Sequence, residues 1–326
     1  MNLVKYLDYF QLIYLIILFP VYLYFTINLG FQIYYKKSKI FRNNYFPILF
    51  YKGIIDLTTF FVQFFLSRIQ KYNVFNSFFL ESTYLASVLY FFTGGCYFIM
   101  FQISFLTAIN RYVAIKKPMK YKEYFKLSLL HFYFFIMTIS GIAIGVLSLL
   151  FKSTYIKLIE MDRIVAIFLN ENNIYFYCAI AICYNLPMLC ITTIINCLCL
   201  YENRNFFKNN SNNANIKNVE SKLFIYSFAL LISMISFEIY YIFKFIPVLC
   251  KCFSILESIA IQSLSWIIDL MTFGLFIFSL TLSSDLRTLL PFMNKKKGEP
   301  FLVAKYMKNN SNNNRSKPNQ NASIIQ

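Results

Sequence analysis

One histidine, one tryptophan and 14 acidic residues in 326 leave little material for catalysis. A lone histidine excludes metal sites built from several imidazoles. The carboxylates are dispersed and form no cluster near an interface of the kind lipid-modifying enzymes need, so neither a metal nor a cofactor is implied. Eight glycines are few for a transporter whose helices are broken by Gly and Pro at the membrane midplane. Charged residues make up only 14% of the chain, against roughly a quarter in a soluble domain.

What is present is apolar. Hydrophobic residues account for 58% and aromatic ones for 20%, much of it in long uncharged runs. A soluble core has no means of covering that much apolar surface, whereas a bilayer accepts it. The formal charge of +17 would suit a nucleic-acid partner only if the basic residues shared one soluble face. They fall instead in short clusters between the apolar runs, so no nucleic acid is implied.

About 20 apolar residues cross the hydrocarbon core as a helix. Seven segments qualify: 9–35, 45–66, 82–110, 127–151, 172–201, 223–249 and 258–284. The predicted fold is therefore all-α, a seven-helix transmembrane bundle over residues 1–290. Residues 291–326 form a basic, Asn-rich tail expected to be disordered in the cytosol. Counting basic residues with the amino terminus outside gives 22 on the cytosolic side and 7 on the outer side, with Lys52 and Lys244 inside spans. That asymmetry predicts an outer amino terminus and a cytosolic carboxyl terminus. Span one is too long for a signal-peptide core and has no small-residue cleavage site after it, so no cleaved signal is expected.

Between the spans, Asn205–Asn218 is rich in Asn and is expected to be a flexible inner loop. After span seven, Leu286, Leu289, Leu290 and Met293 fall at helical spacing before Lys295–Lys297, with Pro291 interrupting. The stripe fits either a short amphipathic helix on the inner leaflet or an unstructured basic segment. The Asn-x-Ser sequons at Asn209, Asn309, Asn314 and Asn321 all fall on the predicted cytosolic side and are chance matches. Six cysteines at or within spans read as buried thiols. Cys250 and Cys252 are one residue apart, which strains a disulfide, and read as two free thiols.

The end of span three reads Asn110-Arg111-Tyr112-Val113-Ala114-Ile115, followed by Lys116-Lys117-Pro118-Met119-Lys120-Tyr121. It resembles the Asp/Glu-Arg-Tyr segment of rhodopsin-like G-protein-coupled receptors, with Pro118 and Tyr121 at the usual spacing. Asn28 and Asp56 resemble that family's paired polar positions in helices one and two. Pro187 matches its helix-five proline, and Phe245-x-Pro247 resembles the aromatic-x-proline at which helix six bends. Asn110 stands where the family has an acid, no Asn-Pro-x-x-Tyr ends span seven, and the outer-loop cysteine pair is missing. With these departures the chain is similar to nematode serpentine chemoreceptors of the class gamma and class V type.

The resemblance implies a plasma-membrane receptor, with sensory cilia as one setting, that binds an odorant-like small molecule and activates a heterotrimeric G protein. Asn110, Arg111, Tyr112 and Pro118 would serve coupling, and basic inner loops would meet membrane lipids. The outer halves of spans three, five, six and seven would supply the pocket, with Thr93, Tyr97, Cys183, Phe245, Thr272 and Phe276 as candidates. The competing class is a transporter or membrane enzyme without receptor signalling; an insect-type channel has the opposite orientation.

Ionisable groups inside spans are costly and are functional candidates by default. Asp56 fits either a polar switch or a buried network, and Lys52, four residues earlier, shares its helix face. Glu238 and Asp269 lie at similar depth. Lys244 either snorkels to the surface or reaches Asp269 from helix six. His131 reads as a satisfied side chain at the inner interface.

Overall fold

A computed structural model describes residues 2–38, 40–41, 44–72, 74–158, 163–169, 172–209, 214–250 and 254–293. Within them the chain forms α1 (Asn2–Gly30, extended by a π turn Phe31–Tyr35) and α2 (Tyr45–Gln63, extended through Phe64–Arg68 and Ile69–Tyr72). Then come α3 (Thr83–Lys116), α4 (Leu127–Leu149), and a hairpin of β1 (Ser153–Leu158) and β2 (Arg163–Phe168). The α5 helix runs as Asn172–Ile180, a π turn Ala181–Asn185 and Leu186–Asn209. The α6 helix is Ala214–Cys250, and α7 is Ser254–Asp269, a π turn Leu270–Gly274 and Leu275–Leu282.

Seven helices among the described residues are long and apolar enough to cross a membrane, and they fall on the seven predicted segments. The chain is a multi-pass membrane protein. Two spans run further than expected, to Tyr72 and Lys116, because Arg68, Lys71 and Arg111 do not leave the helix as loop charges would. Arg68 and Arg111 are buried and Lys71 is half-buried, and each is held by a partner from another element.

The sequence explains how the bundle closes. Lipid offers no hydrophobic drive between helices, so close packing and internal hydrogen bonds must hold them together. The α3 helix packs on α2, α4 and α5. Against α4 its contact depends on small residues: a Cβ built on Gly95 would lie 2.7 Å from the Gly141 carbonyl oxygen, and one on Gly145 would lie 2.7 Å from that of Phe91. Phe101, Met234, Phe237 and Leu130 fill the centre of the bundle, while Phe25, Leu29, Phe46 and Phe273 seal α1 and α2 against α7. Ile13, Ile16, Phe132, Phe135 and Ile139 point outward, where a bilayer would cover them.

Proline is absorbed rather than excluded. Pro187 stands one residue beyond the π turn of α5, where the widened backbone relieves the missing N–H and the ring's clash with the preceding turn. Pro247 lies inside α6, three residues before its end at Cys250.

Several sequence expectations are corrected or extended. The hairpin between α4 and α5 was not anticipated, although its two six-residue runs are rich in β-branched and aromatic side chains. It pairs Ser153 with Phe168 through to Leu158 with Arg163, and docks through Tyr90, whose hydroxyl donates to the Ala166 carbonyl at 2.7 Å. The expected loop at 205–218 is helical up to Asn209 and again from Ala214, since the stretch contains no Pro or Gly to stop a helix. The leucine stripe after α7 does not lie on a leaflet. Leu286, within a four-residue helix Ser284–Arg287 capped by Ser283, and Leu289 and Leu290 after it are buried in one cluster with Leu29, Ile33, Phe41 and Phe46. Cys96 and Cys178 are buried, but Cys183, Cys190 and Cys197 repeat every seven residues and face outward. The tail beyond residue 293, Cys252 and the side chain of Cys250 lie outside the described residues.

Candidate functional site

The hairpin and the Arg111 segment occupy opposite ends of α3. Ser87, which bonds Ser153 of the hairpin at 3.0 Å, and Arg111 are separated by about 36 Å of helix at 1.5 Å per residue.

At the Arg111 end, Arg111 is buried and its Nη1 donates to the Ser227 hydroxyl on α6. Its guanidinium lies 5.0 Å from the Tyr226 ring centroid, a cation–π contact, and it also bonds the Tyr45 side chain of α2. Asn110 is not its partner. The amide of Asn110 meets the Tyr121 hydroxyl at 3.2 Å, so the residue standing in the acid's place anchors the loop after α3 instead. Burial pushes the Tyr121 phenol up to about 12, keeping it protonated and able to donate to Asn110 Oδ1 as well as accept from Nδ2. Tyr112 is half-buried, with Lys116 Nζ 5.4 Å from its ring centroid, and Pro118 is exposed in the turn that follows. Lys116 pairs with Glu202 of α5 at 3.0 Å. The restraint on Arg111 is therefore supplied from α6 and α2.

Deeper in the bundle, Asp56 is fully buried. It accepts from Lys52 on the same helix face and from the Tyr22 hydroxyl of α1 at 2.7 Å, and Lys52 Nζ also donates to the Met271 carbonyl of α7 at 3.0 Å. Asn28 is not part of this network; its amide reaches the Leu289 carbonyl at 3.5 Å, tying α1 to the segment after α7. Glu238 is buried on α6 facing Asn185 of α5. His131 meets the Tyr34 hydroxyl at 3.2 Å, as an interfacial side chain should.

Toward the hairpin, Asp269 is paired, but with Arg68 of α2 and not with Lys244. Arg68 Nη2 lies 2.6 Å from Oδ1 and Nη1 3.2 Å from Oδ2, a two-pronged contact, while Gln11 and the Tyr14 hydroxyl donate to Oδ2. A second buried carboxylate, Asp8 of α1, takes Lys71 at 3.2 Å and Arg163 of β2 at 3.0 Å. Arg68, Lys71 and Arg163 had counted only as topology charges; the signal for them was their three carboxylate-seeking positions near one end of the bundle, which a linear count cannot join.

Beside these pairs lies a cavity of about 150 Å³ between the hairpin and α2, α3, α5, α6 and α7. Of the candidates, Thr93 and Tyr97 line it. Cys183 faces outward, Phe245 packs at the edge of Tyr175, Thr272 bonds the Ile268 carbonyl, and Phe276 stacks on Tyr22 of α1 at 4.3 Å, so these four lie outside the lining. Gln63, Cys178, Tyr240, Tyr241, Lys244 and Arg163 line it instead. Tyr97 is fixed by a hydrogen bond from Gln63 at 2.9 Å and an edge contact with Phe237 at 4.6 Å.

Among curated proteins no relative matches the chain. Residues 11–290, spanning all seven helices, match the family model described as serpentine type 7TM GPCR chemoreceptor Srv, a nematode chemoreceptor family. The match covers most of the 326 residues, and the chain belongs to that family of seven-transmembrane chemoreceptors.

Proposed function

We propose that the chain is a chemosensory receptor of the plasma membrane that binds a small molecule in the hairpin-end cavity and activates a heterotrimeric G protein at the Arg111 end. The amino terminus and hairpin face outside, and the loops rich in Lys and Arg meet the G protein and anionic lipid headgroups in the cytosol. One observation carries this proposal: α3 and α6 meet at both ends. Tyr97 of α3 and Tyr240 and Tyr241 of α6 share the cavity, and Arg111 of α3 holds Ser227 of α6 far below it. A ligand that favours a different α6 position shifts the population at both ends, which is the coupling a receptor requires. The Asn110–Tyr121 bond would keep the second inner loop in register for the G protein.

A cell line expressing the receptor at its surface, challenged with volatile and water-soluble odorants, tests this. The expected result is concentration-dependent G-protein activation that Tyr97→Ala moves at least about tenfold to higher concentration, the loss of one well-packed aromatic contact. Activation untouched by Tyr97→Ala would remove the cavity from the account, and no activation by any compound would remove the receptor.

A further inference from the structure

We propose that the ligand of this cavity is a small organic carboxylate, its anionic head held by Arg163 and Lys244 and its apolar body lying against Tyr97, Tyr240 and Phe168. The proposal rests on the receptor reading for the site's purpose and on the cavity's own chemistry for the ligand class.

The first observation is an imbalance of charge. Lys71, Arg163 and Lys244 all line the cavity, and the described lining contains no carboxylate. Asp8 is the acceptor for both Lys71 and Arg163, so one negative charge serves two positive ones. Asp269 is already committed to Arg68. Lys244 makes no ion pair among the described residues. Arg163 is buried and the two lysines are half-buried; cations withdrawn from water in such surplus are costly, and an anion entering the cavity relieves that cost.

The second observation concerns Arg163 itself. It is 6% exposed, and while Nη2 donates to Asp8, its Nε and Nη1 have no hydrogen-bond partner among the described residues. Buried donors without acceptors are rare in native proteins, and a guanidinium offers a planar fork that suits a carboxylate. Arg163 is held in place from both sides, by Asp8 and by the antiparallel pairing of Arg163 with Leu158 in the hairpin. Its open donors are therefore presented by a rigid strand.

The third is size. A cavity near 150 Å³ accommodates a body about as large as benzene. The aromatic rings around it, with Tyr90 stacked on Phe168 at 3.7 Å, suit an apolar group rather than a second charge. Together these describe a benzoate-sized monoanion.

The test uses the full-length receptor in lipid nanodiscs and reads thermal unfolding, with no G protein present. Benzoate, benzamide and inorganic phosphate are titrated to about 10 mM, a level that saturates a millimolar site about tenfold. Benzoate is expected to raise the unfolding temperature in a saturable way, with benzamide and phosphate at least about tenfold weaker, the worth of a charge-assisted hydrogen bond. Arg163→Gln is expected to abolish the benzoate shift. Because Arg163 also holds Asp8, Lys244→Met provides the second variant: it leaves both described ion pairs intact and removes a surplus cation, so it should weaken benzoate without lowering the ligand-free unfolding temperature. Benzamide equal to benzoate, phosphate equal to benzoate, no shift with any of the three, or full benzoate binding by Lys244→Met and Arg163→Gln would overturn the proposal. Signalling by neutral odorants without carboxylate binding would sink this inference alone, and carboxylate binding without signalling would sink the receptor function alone.

Discussion

Arg68 of α2 and Asp269 of α7 form a buried two-pronged ion pair, with Gln11 and Tyr14 of α1 completing the carboxylate's shell. Three helices are thereby joined through one acidic side chain. Removing the cation leaves a buried charge, which costs about 3–5 kcal/mol, whereas removing both charges costs far less. Arg68→Met is therefore expected to lose most folded receptor, and Arg68→Met combined with Asp269→Asn, which still accepts from Gln11 and Tyr14, to recover it. Thermal unfolding of the purified variants decides; a double variant no better than the single one would show that the pair is not the reason Arg68 matters.

Ser227 is the α6 anchor of Arg111. Ser227→Ala removes one charge-assisted hydrogen bond from the resting contact while the Tyr226 and Tyr45 contacts remain, and a loss of about 1.5 kcal/mol moves a two-state population about tenfold. Ligand-free G-protein activation should rise several-fold at equal surface level. Unchanged basal activity would mean that the Arg111–Ser227 contact does not restrain α6.

Gly145 and Gly274 separate close packing from mere glycine content. A Cβ on Gly145 meets the Phe91 carbonyl oxygen, which has nowhere to go, while one on Gly274 meets first the flexible Cδ1 of Leu270 at 3.1 Å. Gly145→Val should destabilise the bundle by about 1–3 kcal/mol through overpacking at the α3–α4 contact. Gly274→Ala should be close to neutral in the same unfolding assay; the reverse order would contradict the packing described.

The orientation rests on 22 basic residues against 7. An epitope placed before Met1 should label intact cells, and one after Gln326 only permeabilised cells. The opposite labelling would put the cavity in the cytosol and Arg111 outside, and would end the receptor account.

Much of the bundle was legible because long uncharged runs have one solution in lipid. The Lys52–Asp56 pair was legible too, since a four-residue spacing on a helix brings two side chains together. Arg68 and Lys71 were not, because a basic residue at the end of an apolar run looks like a loop charge until its carboxylate, some 200 residues or 63 residues away, is known. The cavity's lining was not legible in any pattern of this chain, because it joins five helices and the hairpin. Cys183 and Thr272, named from the receptor resemblance, both fall inside π turns, Ala181–Asn185 and Leu270–Gly274, whose extra residue rotates the helix face. Phe276 follows the second π turn and is turned toward α1. Thr93 and Tyr97 lie on α3, which runs unbroken from Thr83 to Lys116, and both line the cavity.

The central claim is that Arg111 couples α6 to a G protein, and Arg111→Lys tests it most directly. Lysine keeps the positive charge that membrane topology counts but loses the fork that reaches Ser227, Tyr226 and Tyr45 together. Agonist-stimulated G-protein activation, normalised to surface receptor and read beside ligand binding, should fall at least about tenfold in Arg111→Lys with binding retained, as expected when a planar multi-donor contact is replaced by a point charge. Arg111→Ala should match it, and Lys116→Ala, whose partner Glu202 is half-exposed, should stay near wild type. Equal activation by wild type and Arg111→Lys would contradict the account and leave Arg111 as a topology charge.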